Sequence, residues 1–438
     1  MKLAHFGIDL GYEISPIRKF CLIFKALYRG IRSIMSNHLV VVGGGQAGFS
    51  LISKLRSLGD TRSISLVTAE KYPPYQRPPL SKKYLIGETQ SERLLLRPTK
   101  WYDDQSVSLY RQNKVSSIDI QNKSLLLASG QSISYSSLAL TTGSEAIRLP
   151  DSMGGNLDGV HTLRNIDDVD NIAVQLKSAT SVLVIGGGYI GLEVAAVMST
   201  LGHDVTIIER EERILKRVAA TTTSEYFEKL HKKNGVKILG STSLVELLEK
   251  EGGVCGARFD NGSEIKTNLV ICGLGIRPNQ QLAVDAGLTV NDGIVVTESC
   301  LTSDPNIVAA GDCARFPYCR NLIRLESVQN SIDQAEVAAA TLFGRKMAYR
   351  PYPWFWSDQF DVKLQIAGLN VGFNRTVTRL GNRPGSESTW YFKDEKLLAV
   401  DAINDGRSFL IAKKLLENKN NPEMSKLEDS SFDIKALL

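Results

Sequence analysis

Two glycine-rich turns of the same form constrain the fold of this chain more than any other feature. Val40–Gly48 reads Val-Val-Val-Gly-Gly-Gly-Gln-Ala-Gly, and Val182–Glu193 reads Val-Leu-Val-Ile-Gly-Gly-Gly-Tyr-Ile-Gly-Leu-Glu. Each apolar run predicts a buried strand, and a Gly-x-Gly-x-x-Gly turn that opens a helix is typical of a site for a dinucleotide pyrophosphate. One such turn is a weak signal. Two of them, each followed by an acidic residue, predict two nucleotides bound side by side, an arrangement typical of electron transfer.

The first turn assigns a separate task to each glycine. Gly43 permits the tight turn, Gly45 lets the backbone approach the phosphates, and Gly48 allows the helix to pack closely on the strand. The positive N-terminal end of that helix faces the pyrophosphate. A second strand follows at Ile64–Val67, and Glu70 lies 22 residues beyond Gly48. Glu70 is predicted to accept hydrogen bonds from ribose hydroxyls; the alternative is that it only caps a surface turn.

The second turn repeats this spacing at Gly186, Gly188 and Gly191. The strand that follows its helix ends in Glu209, with Arg210 directly behind it. An acidic residue at this position favours the free 2′-hydroxyl of NADH and repels the extra phosphate of NADPH. Arg210 has the charge to compensate in part, so the sequence predicts a preference for NADH rather than strict selection.

A Gly-Asp pair returns after the second nucleotide unit. Ile307–Cys313 reads as a strand followed by Gly311 and Asp312. Alone it would be an ordinary turn, but Asp312 is placed to accept hydrogen bonds from a polyol such as the ribityl chain of a flavin. The first domain is therefore predicted to be interrupted by the second and completed later. The predicted units are an extension at 1–36, an FAD-binding domain at 37–148 and 280–345, an NADH-binding domain at 149–279, and a C-terminal domain at 346–438.

Two further segments bear on a flavin site. The proline-rich stretch Tyr72–Leu85 is held rigid by its prolines, with a predicted helix start at Ser81. Lys82 is then either a solvated lysine or a fixed cation that stabilises negative charge on a reduced flavin. In Pro353–Gln359 two tryptophans stand two residues apart; they are more often core residues, but Trp356 is a candidate wall of the flavin site.

The last part of the chain predicts a smaller α/β module. Its strands are expected at Pro353–Gln359, Lys363–Gly368 and Leu397–Asp401, and its helix at Ser408–Leu416. The stretch Arg379–Ser388, with its glycines and proline, predicts a loop.

Charge and cysteine usage exclude several classes of protein. The formal net charge is +5 over 438 residues, without a basic run interleaved with aromatics, so nucleic acid is not an expected partner. The six cysteines form no Cys-x-x-Cys pair and no metal-ligand spacing, which predicts reduced thiols in a cytoplasmic protein and no metal site. Since none lies between Cys21 and Cys255, the first domain lacks the redox cysteine of a disulfide reductase or NADH peroxidase.

The first 36 residues are a separate case. Their apolar run, Phe20–Phe24, is flanked by lysines and arginines and is far shorter than the ~20 apolar residues of a membrane helix. We interpret residues 1–36 as an extension outside the folded unit, with Met35 as the natural start. A basic targeting segment or surface-bound helix is the alternative.

Taken together, these stretches resemble the FAD-dependent ferredoxin reductases that serve bacterial cytochromes P450 and aromatic-ring dioxygenases. The resemblance covers residues 38–438, and its combination of motifs is specific although each alone is weak. The motifs are Gly43-Gly-Gly-Gln-Ala-Gly48, Arg77-Pro-Pro-Leu-Ser-Lys82, Thr142-Gly143, Gly186-Gly-Gly-Tyr-Ile-Gly-Leu-Glu193, Ala310-Gly-Asp-Cys-Ala314, Glu326-Ser-Val-Gln-Asn330 and Pro353-Trp-Phe-Trp-Ser-Asp-Gln359.

The resemblance implies an α/β, glutathione-reductase-like fold with two Rossmann-type dinucleotide-binding domains and a smaller α/β C-terminal domain. It also implies two sets of cofactor contacts. The FAD set is Gly43, Gly45, Ala47, Gly48, Glu70, Arg77, Lys82, Val115, Thr142, Gly143, Arg164, Gly311, Asp312, Glu326, Ser327, Val328 and Trp356. The NADH set is Gly186, Gly188, Tyr189, Ile190, Gly191, Glu193, Glu209 and Gly273.

The same resemblance implies a mechanism in which Lys82 and Glu193 form an ion pair near flavin N5, with Glu193 orienting the nicotinamide amide. A hydride passes from NADH to FAD, and single electrons then pass to a [2Fe–2S] ferredoxin docked over the Trp356 side. That ferredoxin feeds a cytochrome P450 or a ring-hydroxylating dioxygenase. The alternatives are a rubredoxin reductase and an NADH-responsive flavoprotein resembling apoptosis-inducing factor. Monomer and homodimer both remain open, and no stable membrane insertion is expected.

Overall fold

The computed structural model describes residues 37–438, so the predicted extension at 1–36 lies outside the described residues. Between residues 37 and 438 there is no helix both long enough and apolar enough to cross a membrane.

The first nucleotide unit is built on a five-stranded parallel sheet. Most residues of its strands are apolar and buried, as expected for a parallel sheet covered on both faces. In sheet order they are Ile307–Ala309, Ser137–Leu140, His38–Val42, Ser63–Val67 and Val107–Tyr110. Because Ile307–Ala309 pairs in parallel with Ser137–Leu140, a strand from after the second unit completes the first sheet. This strand order is the one that an interrupted first domain requires, while the exact boundaries stay a prediction.

The second unit repeats the plan with five parallel strands. In sheet order they are Lys237–Leu239, Asp204–Ile208, Ser181–Ile185, Leu269–Cys272 and Val160–Thr162. In each unit the central strand leads into a glycine turn and then into a helix, Gln46–Ser57 in the first and Tyr189–Thr200 in the second. Both turns therefore lie at the carboxyl ends of parallel strands, where such sheets bind ligands.

The two chain segments that connect these units lie side by side. Ser144–Ala146 leads toward the second unit and Ile276–Pro278 leads back, and the two form an antiparallel pair. Arg277 and Glu145 form an exposed ion pair of 2.6 Å across this ribbon. The chain thus leaves and re-enters the first unit at a single place.

The C-terminal domain is a five-stranded antiparallel sheet covered by the helix Gly406–Asn418. In sheet order its strands are Trp354–Gln359, Val362–Gly368, Lys396–Ile403, Glu387–Lys393 and Arg375–Leu380. Strand Trp354–Gln359 is an edge of this sheet, and its alternation places Phe355, Ser357 and Gln359 on one face.

The predicted loop at Arg379–Ser388 is wrong at both ends. Arg379 pairs with Ser388 and Leu380 with Glu387, so only residues 381–386 connect the two strands. The reason is the environment of Arg379, which is buried and donates to five main-chain carbonyls between Lys426 and Phe432, at 2.6 to 3.4 Å. A charged residue satisfied in this way belongs to the core, although its sequence context is typical of a turn.

One smaller expectation is also corrected. The predicted helix start at Ser81 is the end of a 3-10 helix, Pro78–Ser81. A further helix lies at Thr99–Asp104. The other helices are Ser91–Leu94, Asp151–Met153, Ile166–Leu176, Thr221–Lys233, Gln281–Asp285, Val328–Leu342, Met424–Glu428 and Ile434–Leu437. The other strands are Val115–Asp119, Ser124–Leu127, Ser132–Ser134, Leu244–Lys250, Gly253–Phe259, Glu264–Lys266, Ile294–Val295, Ala314–Tyr318 and Asn321–Ile323.

Candidate active site

The first glycine turn forms a cradle in front of the helix Gln46–Ser57. At Gly43, with φ +116°, a Cβ would lie 2.1 Å from the carbonyl oxygen of Thr141, and at Gly48 it would lie 2.2 Å from the carbonyl oxygen of Gly43. These two glycines are required by the chain's own packing. At Gly45 a Cβ would meet no described atom within 4 Å, and no side chain caps the helix there. The open space faces free amides at a helix N-terminus, which fits a pyrophosphate.

The second turn has the same construction. A Cβ at Gly186 would lie 2.5 Å from the carbonyl oxygen of Gly273, and at Gly191 it would lie 2.1 Å from the carbonyl oxygen of Gly186. Gly273 thus lies directly against the turn, and its contact with NADH stays a prediction. At Gly188 a Cβ would meet none of the described atoms within 4 Å. Ile190, the second residue of the helix, is 46% exposed, so this cradle has an apolar side chain at its mouth.

The residues at the ends of the second strands differ between the units. Glu209 lies beneath its turn and accepts hydrogen bonds from the Gly187 amide, at 2.7 Å, and from the Glu211 amide, at 2.9 Å. Thr68 occupies the equivalent position in the first unit, where a Cβ on Gly44 would lie 2.7 Å from the Thr68 Cβ. The carboxylate that the sequence predicts beside the ribose is therefore fixed to the turn in the second unit only. Arg210 is 78% exposed and is not paired with Glu209.

Glu70, two residues beyond Thr68, belongs to a different cluster. Its carboxylate accepts hydrogen bonds from the Tyr75 hydroxyl and, at 2.5 Å, from the Arg77 guanidinium. Arg77 also donates to the carbonyl oxygen of Arg164 at 2.8 Å. Glu70 is thus tied to the start of the second unit rather than to a surface turn. Burial raises the pKa of Tyr75, so this hydroxyl, which the sequence analysis missed, stays a neutral donor.

Asp312 lies where the second unit meets the first. A Cβ on Gly311, with φ +86°, would lie 3.1 Å from the Ala47 Cβ, so the Gly-Asp turn packs directly on the first nucleotide helix. The Asp312 carboxylate accepts from the Arg164 guanidinium at 2.9 Å and from the Ser144 hydroxyl at 2.8 Å. These contacts keep a carboxylate with spare acceptor positions beside the first cradle.

The remaining predicted FAD contacts surround the same unit. Thr142 donates to the carbonyl oxygen of Asn279 at 2.6 Å, and Gly143 follows with φ +65°. Val115 is buried in the first core, and Ser327 caps the helix Val328–Leu342 by accepting from the Asn330 amide at 3.1 Å. Glu326, just before that cap, pairs with Arg324. These residues shape the first unit, and none of them shares a side-chain hydrogen bond with Lys82, whose ammonium donates to Pro78 and Glu193.

The ion pair between Lys82 and Glu193 is present, as predicted. The Lys82 ammonium donates to Glu193 Oε2 at 2.7 Å, and the Ser81 hydroxyl donates to the same oxygen at 2.6 Å. The other oxygen, Oε1, accepts from the Ser357 hydroxyl at 2.8 Å and from the Asp358 amide at 3.3 Å. Glu193 is 3% exposed. Its four donors match the roughly four lone-pair positions of a carboxylate, so the protein itself fills its acceptor capacity.

Three parts of the chain therefore meet at one carboxylate. Glu193 stands in the first turns of the second nucleotide helix, Lys82 belongs to the first unit, and Ser357 belongs to the C-terminal domain. Sequence reasoning missed Ser81 and Ser357. Ser81 was within a recognised motif, but the contact of Ser357 depends on which face of its strand is turned inward.

Trp356 lies on the strand face opposite to Ser357. Its ring lies 5.5 Å from that of Trp354, which in turn contacts Phe409 at 6.0 Å and has the Lys413 ammonium 5.7 Å from its centre. On the other face, Phe355 contacts the Tyr189 ring at 5.0 Å. Tyr189 and Glu193 are thus next to Phe355 and Ser357, and the two tryptophans form a half-buried aromatic pair on the side of the helix Gly406–Asn418.

Comparison with known proteins identifies this architecture. Residues 37–341 match the family described as pyridine nucleotide-disulphide oxidoreductase, and residues 354–438 match the reductase C-terminal domain. The chain belongs to the pyridine nucleotide-disulphide oxidoreductase family. Proteins of this family use FAD and NAD(P)H, which agrees with two separate nucleotide cradles.

Within the oxidoreductase family, the chain is similar to ferredoxin reductases. It is 40% identical to rhodocoxin reductase of Rhodococcus erythropolis, over 91% of this chain and 93% of that protein. The solved ferredoxin reductase for the CYP199A2 system from Rhodopseudomonas palustris is 37% identical, with a TM-score of 0.88 over 91% of this chain and 99% of that one. Putidaredoxin reductase in its covalent complex with putidaredoxin is 35% identical, also with a TM-score of 0.88, over 92% and 98% of the two chains. The predicted fold and family resemblance are confirmed.

Although the family is named for disulphide oxidoreductases, the described part of this chain contains no disulfide bond. Between residues 37 and 438 all five cysteines are free thiols: Cys255, Cys272, Cys300, Cys313 and Cys319. Cys313 directly follows Asp312, but it is fully buried, and burial raises the pKa of its thiol. A buried, neutral thiol is a poor nucleophile, so this position favours packing over redox exchange.

Proposed function

We propose that this oxidoreductase transfers electrons from NADH through FAD to a [2Fe–2S] ferredoxin that feeds a cytochrome P450 or a ring-hydroxylating dioxygenase. The observation that carries the proposal is the bond between Lys82 and Glu193. Since Glu193 belongs to the second nucleotide helix and Lys82 to the first unit, the two nucleotide sites share one ion pair.

The first unit would hold FAD. Its pyrophosphate fits the Gly45 cradle, the adenosine ribose fits the Glu70 side of the strand end, and the ribityl chain fits Asp312 with Arg164. When bound, FAD supplies the chemistry that takes two electrons from a nicotinamide nucleotide and gives them up one at a time.

The second unit would hold NADH. Gly188 leaves the approach to the helix N-terminus open, and the Glu209 carboxylate is already fixed beneath the turn by two amides. A 2′-phosphate at this place would face that carboxylate, whereas a 2′-hydroxyl would donate to it. Arg210 points to solvent and leaves this selection to Glu209.

Lys82 would act as a fixed positive charge and not as an acid or base. It is 20% exposed, and its ammonium is paired with the Glu193 carboxylate, which the Ser81 hydroxyl also holds. A fixed cation in a partly dry site stabilises nearby negative charge without reorganisation. Because the acceptor positions of Glu193 are filled, we propose that Glu193 orients Lys82 first and the nicotinamide only through that lysine.

The C-terminal domain would receive the ferredoxin. Its support is the similarity to ferredoxin reductases and the half-buried pair Trp354–Trp356 with Lys413 beside it, a cation and aromatic surface suited to an acidic partner. The five free cysteines support a location in the reducing cytoplasm.

The test is the steady-state rate of NADH-dependent cytochrome c reduction by the FAD-loaded protein, with [2Fe–2S] ferredoxins, with rubredoxin, and with neither. We expect a [2Fe–2S] ferredoxin to raise the rate at least tenfold. An equal or larger stimulation by rubredoxin would contradict the ferredoxin assignment and identify rubredoxin as the electron acceptor. No stimulation by any carrier above the slow reaction with oxygen would contradict electron transfer and favour the NADH-responsive alternative.

A further inference from the structure

A line of buried hydrogen bonds leads from the ion pair into the interface between the second unit and the C-terminal domain. Ser357, which donates to Glu193 Oε1 at 2.8 Å, accepts from Gln359 Nε2 at 3.3 Å. Gln359 Oε1 lies 2.9 Å from His231 Nε2. Ser357, Gln359 and His231 are each 0% exposed. Four polar side chains are thus connected in a region without access to water.

The chemistry of the groups fixes the direction of this line. A carboxylate only accepts, so Ser357 must donate to Glu193 and is left to accept from the Gln359 amide group. The carbonyl end of Gln359 then faces His231, which must donate from Nε2. His231 Nδ1 has no hydrogen-bond partner among residues 37–438, as expected for the nitrogen that carries the lone pair. Every donor along the line therefore points toward Glu193.

The state of His231 agrees with this direction. Burial lowers its pKa to about 4, so the ring is neutral at physiological pH. The ring packs on Phe360 at 5.1 Å between centres. A neutral imidazole with one N–H is a donor of fixed position, and aligned hydrogen bonds strengthen one another in a dry interior.

The line of hydrogen bonds joins two domains because alternate residues of a strand lie on the same face. Ser357 and Gln359 are two residues apart and share a face of the edge strand Trp354–Gln359. Glu193 comes from the helix Tyr189–Thr200 and His231 from the helix Thr221–Lys233, both in the second unit. The C-terminal strand is therefore bound at two points by the second unit, and one of these points is the carboxylate that holds Lys82.

We propose that Ser357 and Gln359 are positioning residues for the pair of Lys82 and Glu193. They fix the orientation of the Glu193 carboxylate and so hold the Lys82 ammonium in place. The position of this ammonium therefore depends on how the C-terminal domain packs against the second unit. The inference rests on the proposed function, in which Lys82 lies beside the flavin. Without the Ser357 hydroxyl, Glu193 Oε1 keeps only the amide of Asp358 at 3.3 Å, so this oxygen of the carboxylate is held less firmly.

The first experiment measures the visible absorption spectrum and midpoint potential of bound FAD in the purified, FAD-loaded protein. The variants are Ser357→Ala, Gln359→Met, their double variant, Glu193→Gln and Lys82→Met. Ser357→Ala and Gln359→Met should each shift the potential in the same direction as Glu193→Gln and by less. Because the two residues act in series, the double variant should shift it no further than Ser357→Ala alone.

A matched control is available in the same interface. The hydroxyls of Thr222 and Thr389 lie 3.2 Å apart and connect the second unit to the C-terminal domain without touching Glu193. Thr222→Val should leave the spectrum and potential of bound FAD unchanged. If Ser357→Ala and Gln359→Met match Thr222→Val while Lys82→Met shifts the potential, the positioning role is overturned and the proposed function stands. If Lys82→Met also leaves the potential unchanged, the result contradicts the proposed position of Lys82 beside the flavin, and with it the proposed function on which this inference rests.

The second experiment needs no flavin. Nitrogen NMR of ¹⁵N-labelled histidine reports which ring nitrogen carries the proton. We expect His231 to be protonated on Nε2 in the wild type and to lose this preference in Gln359→Met. A wild-type His231 protonated on Nδ1 would reverse the direction of the line and contradict the proposal.

Discussion

The two glycine turns have nearly the same backbone but different surroundings. Their first glycines have φ of +116° and +108°, and the middle glycine of each leaves the same open space. The first turn is covered by its own domain, where Gly311 packs on Ala47. The second leaves Ile190 46% exposed and is flanked by the C-terminal domain. The local sequence therefore makes the cradle, and segments distant in the chain decide how far each cradle is covered.

The largest expected effect concerns the C-terminal domain, which flanks the second glycine turn, whereas the first turn is covered by its own domain. Asp401 of the C-terminal domain is buried and accepts from the Thr223 hydroxyl at 2.8 Å and from the Tyr391 hydroxyl. Burial raises the pKa of Asp401 to about 6, above its value in the unfolded chain. The folded state then binds more protons between about pH 4 and 6, so this group makes the free energy of unfolding rise as pH falls through that window.

Asp401→Asn removes the pH-dependent contribution of this carboxyl group to the free energy of unfolding. Relative to wild type, the variant should lose about 2 kcal/mol of unfolding free energy when the pH falls from 7 to 4.5, measured by urea unfolding at both values. His231 titrates with the opposite sign, because burial lowers its pKa, so His231→Gln should gain stability relative to wild type over the same interval. A constant difference between wild type and Asp401→Asn at both pH values would show that the acid does not titrate in the interface.

The next test separates the two cradles. Gly45→Ala and Gly188→Ala each place a methyl group in open space, so both variants should fold. Gly45→Ala should weaken FAD retention about tenfold, or about 1.4 kcal/mol, and Gly188→Ala should weaken NADH binding by a similar factor while keeping FAD. Flavin fluorescence after dilution and the KM for NADH measure the two effects. Loss of the same nucleotide in both variants would break the assignment of one site to each turn.

The smallest expected effect concerns the residues at the strand ends. Glu209→Gln keeps an acceptor for the Gly187 amide but removes the charge, so NADH should bind about threefold to fivefold more weakly, or about 1 kcal/mol, while NADPH binding should not weaken. The control is Glu211→Gln, two residues further on, which should leave both affinities nearly unchanged. Equal losses for NADH and NADPH in Glu209→Gln would remove its role in selection.

Much of the fold follows from the sequence because its signals are local. The glycine turns, the apolar strands beside them and the return at Asp312 are set by residues near one another in the chain. The meeting of Lys82 and Glu193 followed from the resemblance. Ser357 could not be predicted in the same way, because its contact depends on which face of a strand the C-terminal domain turns toward the second unit.

Hydrogen bonds to residues distant in the chain also explain where the sequence-based predictions were wrong or incomplete. Arg379 is typical of a loop by composition, but five carbonyls from a later segment accept its hydrogen bonds and allow it to stand in a buried strand. His231 and Gln359 are likewise ordinary helix and strand residues in the sequence. Only the packing of two domains shows that they form one buried line with Glu193.

The ribbon of Ser144–Ala146 and Ile276–Pro278 has a consequence for the history of the chain. Because entry and exit lie in neighbouring strands, the polypeptide crosses between the first and second units at one place. A gene segment that encodes a complete nucleotide-binding module can be inserted or exchanged at such a point without opening the host sheet. The repeated cradle is thus compatible with duplication followed by insertion, after which each copy acquired its own neighbours.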